Sequence, residues 1–400
     1  MSAIFDSKVF NAEAFGIYVD RVPNVKKSEL AKSEALGSNE NARKALSNQT
    51  GSFYARVPYF GKIDASTSQN NDGATNINST HTVTFDQGFV VASRMDGWTE
   101  RSFSKNITAG VNFMDNVAQQ IAEYKVEVKQ NLILAILKGI FSMNYSDTST
   151  VRGQAAKEFV VGHTMDTTNQ EGVSPETLNK AIQKACGDNK SKIKLVIMDS
   201  TVATDLENQK LLSFMKYTDA EGIQKDLTMA QWNGRTVLID DDMPSVNVDP
   251  TYKKTTDSAL VDGKKYYTRS GSSSAGYTYT EVSTPDVSNI GSYYEVDAEG
   301  YTTHTTYFLG KGAIIVDPSP DSVPYEMYRD PKTNGGEDTL YVRDRYICGV
   351  EGISFELPST AVVSVTNEEL EDGGNWAVIN NGTTAIPTKA IAIARLISRG

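Results

Sequence analysis

The feature that most constrains this chain is an uninterrupted amphipathic stretch over residues 112–141. Apolar residues recur there three or four positions apart, which is the spacing of one face of an α-helix. They are Met114, Val117, Ile121, Tyr124, Val128, Leu132, Ala135 and Ile136. At a rise of about 1.5 Å per residue, the helix would be about 45 Å long. Asn112 is suited to cap it, and the apolar last turns predict that its second half is the better buried.

The residues before this helix predict an arm followed by a long two-stranded excursion. Residues 53–60 and 81–91 are rich in strand-forming residues, and between them lies a polar tip of Asn, Ser and Thr. Because an isolated two-stranded ribbon is marginally stable in water, we expect this one to rest on another body, as in an assembly. Residues 28–46 predict a polar helix, broken by Gly37, with too few apolar positions to hold it to a core.

The residues after the helix predict an α/β layer over 174–245. Ser174 and Pro175 start a helix that Gly187 ends, and a strand follows at 193–198. A second helix over 201–212 and a strand at 235–240 complete the layer. We expect the strands at 306–309 and 313–316 to extend the same sheet.

Residues 246–303 differ in composition and predict an inserted β module. Eight of the 19 tyrosines fall here, among Ser, Thr and Gly, with short strands expected at 264–269, 277–282 and 292–296. Insertions of this kind are tolerated at loops. The tyrosines are suited either to a small core or to binding sugars or cells.

The last part of the chain predicts a hairpin, 325–329 with 339–343, continued by 345–350 and followed by a strand-like run at 389–397.

Composition excludes several functional classes. The net charge is −11 and no run of Lys and Arg occurs, so a nucleic-acid binder that reads phosphate charge is not expected. The two cysteines favour folding in a reducing compartment. The N-terminus does not resemble a signal peptide, and the most apolar run, 132–141, is too short to span a membrane.

Motifs of catalysis are missing from the sequence. It has no phosphate-binding loop, no His-Glu-x-x-His and no Cys-x-x-Cys, and the histidines His81, His163 and His304 are isolated. The three carboxylates of 240–242 suit either a divalent cation or a solvated turn, and we favour the turn. We therefore predict no catalytic residue, no cofactor and no metal ion.

The order of these elements resembles the major capsid proteins of tailed bacteriophages, an α+β class with the HK97-like capsid fold. The local sequence is also similar: 112–141 resembles their spine helix, 237–244 and 307–314 their axial-domain strands, and 329–345 their peripheral-domain hairpin. The resemblance implies a coat protein that assembles as hexamers and pentamers into a shell enclosing double-stranded DNA. It divides the chain into five parts: arm 1–52, extended loop 53–104, spine helix and first part of the peripheral domain 105–173, axial domain 174–317 with the inserted module at about 246–303, and peripheral hairpin and C-terminal segment 318–400.

The resemblance also implies contacts and partners. The extended loop would lie across the next subunit and the hairpin tip would meet its counterparts at threefold positions. The expected assembly contacts are Tyr54, Tyr59, Phe60, Lys62, Arg94, Trp98, Arg329, Lys332, Arg343 and Arg345. A short N-terminal region favours a separate scaffolding protein; a portal and a decoration protein are further expected partners, and the protein would be assembled in the bacterial cytoplasm and reside in the virion. Some family members join subunits by Lys–Asn bonds, but no pairing can be assigned to Lys62.

Two other classes fit parts of the sequence. Tail-tube, portal-proximal or surface-layer proteins share the acidic, strand-rich, cysteine-poor profile, although the long helix before an α/β layer disfavours a tail tube. A metal-dependent α/β enzyme would use the carboxylates of 240–242.

Overall fold

The computed structural model describes residues 34–46, 53–61, 68–79, 82–101, 113–170, 172–218, 224–272, 276–319, 321–333, 336–359 and 363–399. Its α-helices are α1 (Glu40–Leu46), α2 (Phe113–Phe141), α3 (Val151–Gly162), α4 (Pro175–Cys186), α5 (Ser200–Asn208) and α6 (Asn367–Glu371). The mixture of helices and strands confirms the predicted α+β class. Asn112, the expected cap of α2, lies outside the described residues.

The first sheet carries the ribbon and the hairpin. It contains β1 (Leu36–Gly37), β2 (Tyr54–Phe60), β3 (Thr84–Arg101), β15 (Ile314–Ser319), β16 (Tyr325–Asp330), β17 (Glu337–Val350), β18 (Ile353–Phe355) and β19 (Trp376–Val378). The predicted hairpin is present, with Tyr325 opposite Val342 and Arg329 opposite Asp338. The predicted ribbon is also present, since β2 pairs with the first half of β3 from Tyr54–Val90 to Phe60–Thr84.

The second sheet forms the α/β layer. Its strands are β4 (Thr164–Asp166), β5 (Ile193–Met198), β6 (Ser213–Thr218), β7 (Gln224–Trp232), β8 (Arg235–Ile239), β9 (Ser245–Val248), β14 (Tyr301–Gly310) and β20 (Ile393–Arg399). The start of α4 is as predicted, because Ser174 and Thr177 form a reciprocal capping box with Pro175 in the first turn. Gly187 ends it with a φ of 60°, a conformation that favours glycine.

The inserted module is a separate four-stranded sheet. Its strands are β10 (Thr251–Lys254), β11 (Tyr267–Ser272), β12 (Gly276–Glu281) and β13 (Tyr294–Ala298), in the order β10-β13-β11-β12. The buried side chains of Tyr266, Ile290 and Tyr293 form its small core.

The main core lies where α2 packs between the first and second sheets. Leu132 and Ile136 of α2 are fully buried, together with Val90 and Cys348 from the first sheet and Leu195 from the second. Successive side chains of β5 point to opposite faces of the second sheet, as strand geometry requires. Val196 and Met198 therefore pack on α4 and α5 in a second core. The apolar last turns of α2 are buried as predicted.

Two predictions are wrong. The strand expected at 313–316 does not extend the α/β sheet: β15 pairs with β17 in the first sheet, with Ile314 opposite Val350. A tight turn with Gly312 at a φ of 64° sends the chain from one sheet to the other. The predicted C-terminal strand is present and joins the second sheet, where β20 pairs with β14 and β4.

The second wrong prediction is that residues 28–46 have too few apolar positions to be held to a core. The chain forms the two-residue strand β1 up to Gly37, where the predicted helix is broken, and then the short helix α1, while residues 28–33 lie outside the described residues. Ala42 and Leu46 are fully buried against Phe89, Val91 and Ile347 of the first sheet. Few apolar side chains are enough here because a preformed sheet face receives them, so this part of the arm packs on its own chain.

Candidate assembly surface

The helix α2 packs on one face of the hairpin sheet, the part of the first sheet formed by β3, β16 and β17. The Trp98 ring meets the Tyr124 ring edge to face, with centroids 5.3 Å apart. The next helix residue, Lys125, places its Nζ 2.9 Å from Asp344 Oδ1 and donates to the hydroxyl of Tyr325. Burial alone would lower the pKa of Lys125, but Asp344 and Tyr325 outweigh it and the pKa is raised. The positive charge of Lys125 is therefore retained inside this contact.

Two of the expected contact arginines are occupied within the chain. Arg94 donates from Nη1 to the backbone oxygens of Ser93 and Val365, at 2.8 and 3.0 Å, and burial lowers its pKa. Arg329 donates from Nη1 to both carboxylate oxygens of Asp338, at 2.8 and 3.0 Å, and Asp338 is buried. Arg329 therefore joins the two strands of the hairpin, Arg94 joins β3 to the segment at Val365, and Trp98 joins β3 to α2.

The other charged candidates lie on or near the opposite face and the tip. Arg343 pairs with Glu326 of the neighbouring strand, with Nη2 3.1 Å from Oε2, and both side chains are partly exposed. Arg345 is half-buried beside Ser93 of β3. Lys332 is exposed at the hairpin tip, where its backbone N–H donates to Asp330 Oδ1 at 2.9 Å. Of these three residues, Lys332 is the one whose side chain is open to another subunit.

The ribbon candidates divide in the same way. The Tyr54 hydroxyl donates to the backbone oxygen of Phe355 at 3.0 Å, and the Tyr59 ring is half-buried against the main core, where burial raises its pKa. Phe60, at the end of β2, is 73% exposed. Lys62 lies outside the described residues. The base of the ribbon therefore packs on its own subunit, and Phe60 marks where the open part begins.

The residues that sequence reasoning missed lie on the free face of the hairpin sheet. Met95 is 81% exposed, Tyr328 58% and Tyr341 40%. Along each strand they alternate with the residues that face α2, and this period of two is the signal in the sequence that could have identified them. Gly97 lies opposite Tyr341, and a Cβ at this position would meet the Tyr341 ring, so the glycine leaves room for that ring. The face continues beyond α1, which covers the neighbouring part of the same sheet.

Among the carboxylates of 240–242, that of Asp240 has structural partners. Asp240 is buried, accepts from Gln130 of α2, and also accepts from the backbone N–H of Asp242 at 3.2 Å. His304 Nδ1 lies 3.1 Å from Asp199 Oδ1, and His163 is buried against Phe159; His81 lies outside the described residues. Within the described ranges, no group of three or more His, Cys, Asp or Glu side chains could hold a metal ion. None of the described helices is long and apolar enough to cross a membrane.

Most of the candidate residues thus pack within their own chain, while Phe60 at the end of β2 and Lys332 at the hairpin tip are exposed. No protein-family model matches the chain. It is 21% identical over 342 residues to the major capsid protein of Bacillus phage SPP1, covering 85% of this chain and 84% of that protein. This similarity confirms the resemblance to a phage major capsid protein that the sequence indicated.

The chain is also similar to solved structures of a phage head and a phage capsid. One is the head of Helicobacter pylori bacteriophage KHP40, at 12% identity, a TM-score of 0.42, and coverage of 88% of this chain and 85% of that one. Another is the capsid of Cyanophage Pam1, at 10% identity, a TM-score of 0.45, and coverage of 88% and 86%.

Proposed function

We propose that this chain is the major capsid protein of a tailed bacteriophage, a structural subunit with the HK97-like capsid fold and no enzymatic role. It would assemble as pentamers and hexamers of an icosahedral shell that encloses double-stranded DNA. Similarity to a phage major capsid protein along most of both chains supports this function. The order of arm, ribbon, long helix, α/β layer and hairpin supports it as well.

The observation that carries the proposal is the open end of the ribbon. Residues 68–79 are all exposed, and they include Ile77, which is 85% exposed, while Phe60 is exposed where β2 ends. Large apolar side chains on a projecting segment gain free energy when another surface covers them. A neighbouring copy of this chain would supply that surface, and the ribbon would lie across it.

The remaining parts have proposed places in the shell. The hairpin tip with Lys332 would meet its counterparts at threefold positions, and the second sheet would surround the five- and sixfold axes. The inserted module would face outward, where a decoration protein could bind. Each contact can be weak, because the first contact raises the effective concentration for the others and the overall affinity of many linked contacts is high. A separate scaffolding protein and a portal would guide assembly in the host cytoplasm.

Expression with a scaffolding protein tests the proposal. We expect closed, uniform shells by electron microscopy for the unchanged chain, and none when Phe60 and Ile77 are both replaced by Asp. The double variant Ser68→Asp, Ser79→Asp, which adds the same charge at two other exposed positions of the ribbon, is the matched control and should still form shells. A compact monomer at every concentration, with or without scaffolding protein, would contradict the proposal.

Amide exchange gives an independent reading of the ribbon. The second half of β3 is paired on β17 over Val90–Cys348 to Arg101–Glu337, so its amides should be protected in the isolated subunit. Amides of residues 68–79 should exchange rapidly in the isolated subunit and slowly in the shell. Equal exchange of the tip in both states would contradict a role in subunit contact.

A further inference from the structure

The inserted module carries a face of tyrosine side chains opposite its small core. The rings of Tyr252 and Tyr279 stack with centroids 4.1 Å apart, and Tyr252 meets Tyr267 at 4.9 Å. Tyr279 also meets Tyr294 edge to face at 5.4 Å. None of these four rings is fully buried. Tyrosine supplies large contact area at low cost in side-chain entropy, and it is enriched where proteins meet.

An exposed arginine completes this face. The Arg269 guanidinium lies over the Tyr277 ring at 4.2 Å and the Tyr294 ring at 4.8 Å from the centroids. Among the described residues no carboxylate pairs with it, although the chain is acidic overall. The two rings hold the guanidinium in place, so that little side-chain entropy is lost when a carboxylate arrives.

The strand beside Arg269 is an open edge. Within the described part of the chain, β12 pairs with β11 and with no other strand, and its residues are exposed or half-exposed. The strand contains neither Pro nor Lys, the residues that commonly protect such an edge. Its Tyr and Thr residues favour the extended conformation. It is therefore a template for another strand.

The hydrogen-bond pattern shows which residues face outward. Val282 N–H donates to the Tyr266 oxygen, so the pairs 268–280 and 270–278 are the hydrogen-bonded ones in this antiparallel ladder. The backbone groups of Tyr277, Tyr279 and Glu281 then point away from β11. One antiparallel self-pairing uses all three: Tyr279 opposite the partner's Tyr279, and Tyr277 opposite the partner's Glu281.

We propose that β12 is a contact site for a second copy of this chain, formed by edge-to-edge antiparallel pairing about Tyr279. In this register the partner's Glu281 carboxylate lies beside Tyr277, where the Arg269 guanidinium is held, so the charges are complementary at both ends of the pairing. The inference rests on the proposed function only in that both require contacts between copies. It names one surface through which the modules of neighbouring subunits would meet.

Disulfide trapping in the full-length chain tests the register. In the proposed pairing the two Tyr279 Cα atoms would be about 5.5 Å apart, within disulfide range, and the two Thr278 Cα atoms about 7–8 Å apart, beyond it. With diamide as oxidant, Tyr279→Cys should give about tenfold more disulfide dimer than Thr278→Cys. The native Cys186 and Cys348 are buried and should contribute little. Equal dimer from both variants, or none from either, overturns the proposal.

Charge exchange tests the complementarity. In the Tyr279→Cys background, Glu281→Arg should lower the dimer yield about two- to fivefold, and adding Arg269→Glu should restore it. Lys265→Ala removes the lysine that pairs with Glu281 at 3.1 Å in its own chain, and it should leave the yield unchanged. A dimer yield that Glu281→Arg leaves unchanged contradicts the assigned register. Electron microscopy of particles tests whether the chain forms a shell, whereas the disulfide yield tests the pairing of β12 alone. The failure of one proposal can therefore be distinguished from the failure of the other.

Discussion

Lys125 of α2 holds Asp344 of β17, with Nζ 2.9 Å from Oδ1, and this ion pair joins the long helix to the hairpin sheet. Lys125→Met should lower the free energy of unfolding by about 2 kcal/mol, because a largely buried carboxylate loses its partner. Lys138→Met is the matched control on the same helix, since Lys138 pairs with Glu371 at the surface, and should cost less than about 0.5 kcal/mol. Urea unfolding of the unassembled chain measures both, and equal losses would contradict this role.

The hairpin offers a second matched pair. Arg329→Met should destabilise by about 2–3 kcal/mol because the buried Asp338 carboxylate then has neither its charge partner nor two hydrogen bonds. Arg343→Met, in the neighbouring strand, breaks a partly exposed pair with Glu326 and should cost at most about 1 kcal/mol. If Arg343→Met proves the more damaging substitution in chemical denaturation, the hairpin is held differently.

Gly139 of α2 is expected to tolerate no side chain. A Cβ there would meet the Leu370 backbone oxygen and the Trp376 indole nitrogen, which are joined by a 2.8 Å hydrogen bond. Gly139→Ala should therefore destabilise by about 2 kcal/mol or more, even though Ala favours a helix by about 1 kcal/mol over Gly. Gly162→Ala, at the last residue of α3 in open space, should be neutral or stabilising. Thermal unfolding compares the two variants, and a stabilised Gly139→Ala would contradict the packing.

His163 predicts a dependence of stability on pH. Burial lowers the pKa of this imidazole, whose Nδ1 lies 2.6 Å from the Ile393 backbone oxygen at the start of β20. The unfolded chain then binds the proton at a higher pH, near about 6.5, than the folded chain does. Stability should be retained above this pH. It should fall as the pH drops through it toward the folded-state pKa, by at most about 1.4 kcal/mol per pH unit.

The measurement is the free energy of unfolding at a pH of about 7.5 and of about 5, compared with His163→Gln. The variant should be less stable at the higher pH but should lose less on acidification. If His163→Gln loses as much stability on acidification as the unchanged chain, other groups cause the pH dependence.

Much of the local structure follows from the sequence because its causes are local. The extent of α2 comes from its apolar spacing, and the ends of α4 come from Ser174 and Gly187. The pairing of β16 with β17 follows from two strand-forming runs joined by a short turn-rich segment. The sequence could predict the candidate contacts only as residue types. Arg94, for example, donates to Val365 and Asn367, which lie more than 270 positions further along the chain.

The sequence by itself determined many of the helices and strands and the inserted module, since periodicity and capping act over a few residues, but it did not indicate α3, β6 or β7. The tertiary structure decided which sheet each strand joins and which surfaces remain open. β15 and β20 carry similar apolar runs that either sheet could bury, and the choice depends on where α2, α1 and the turn at Gly312 place each free edge. Burial is a property of the whole arrangement, so Leu46 could be recognised as a core residue, and Met95 as an exposed one, only in the folded chain.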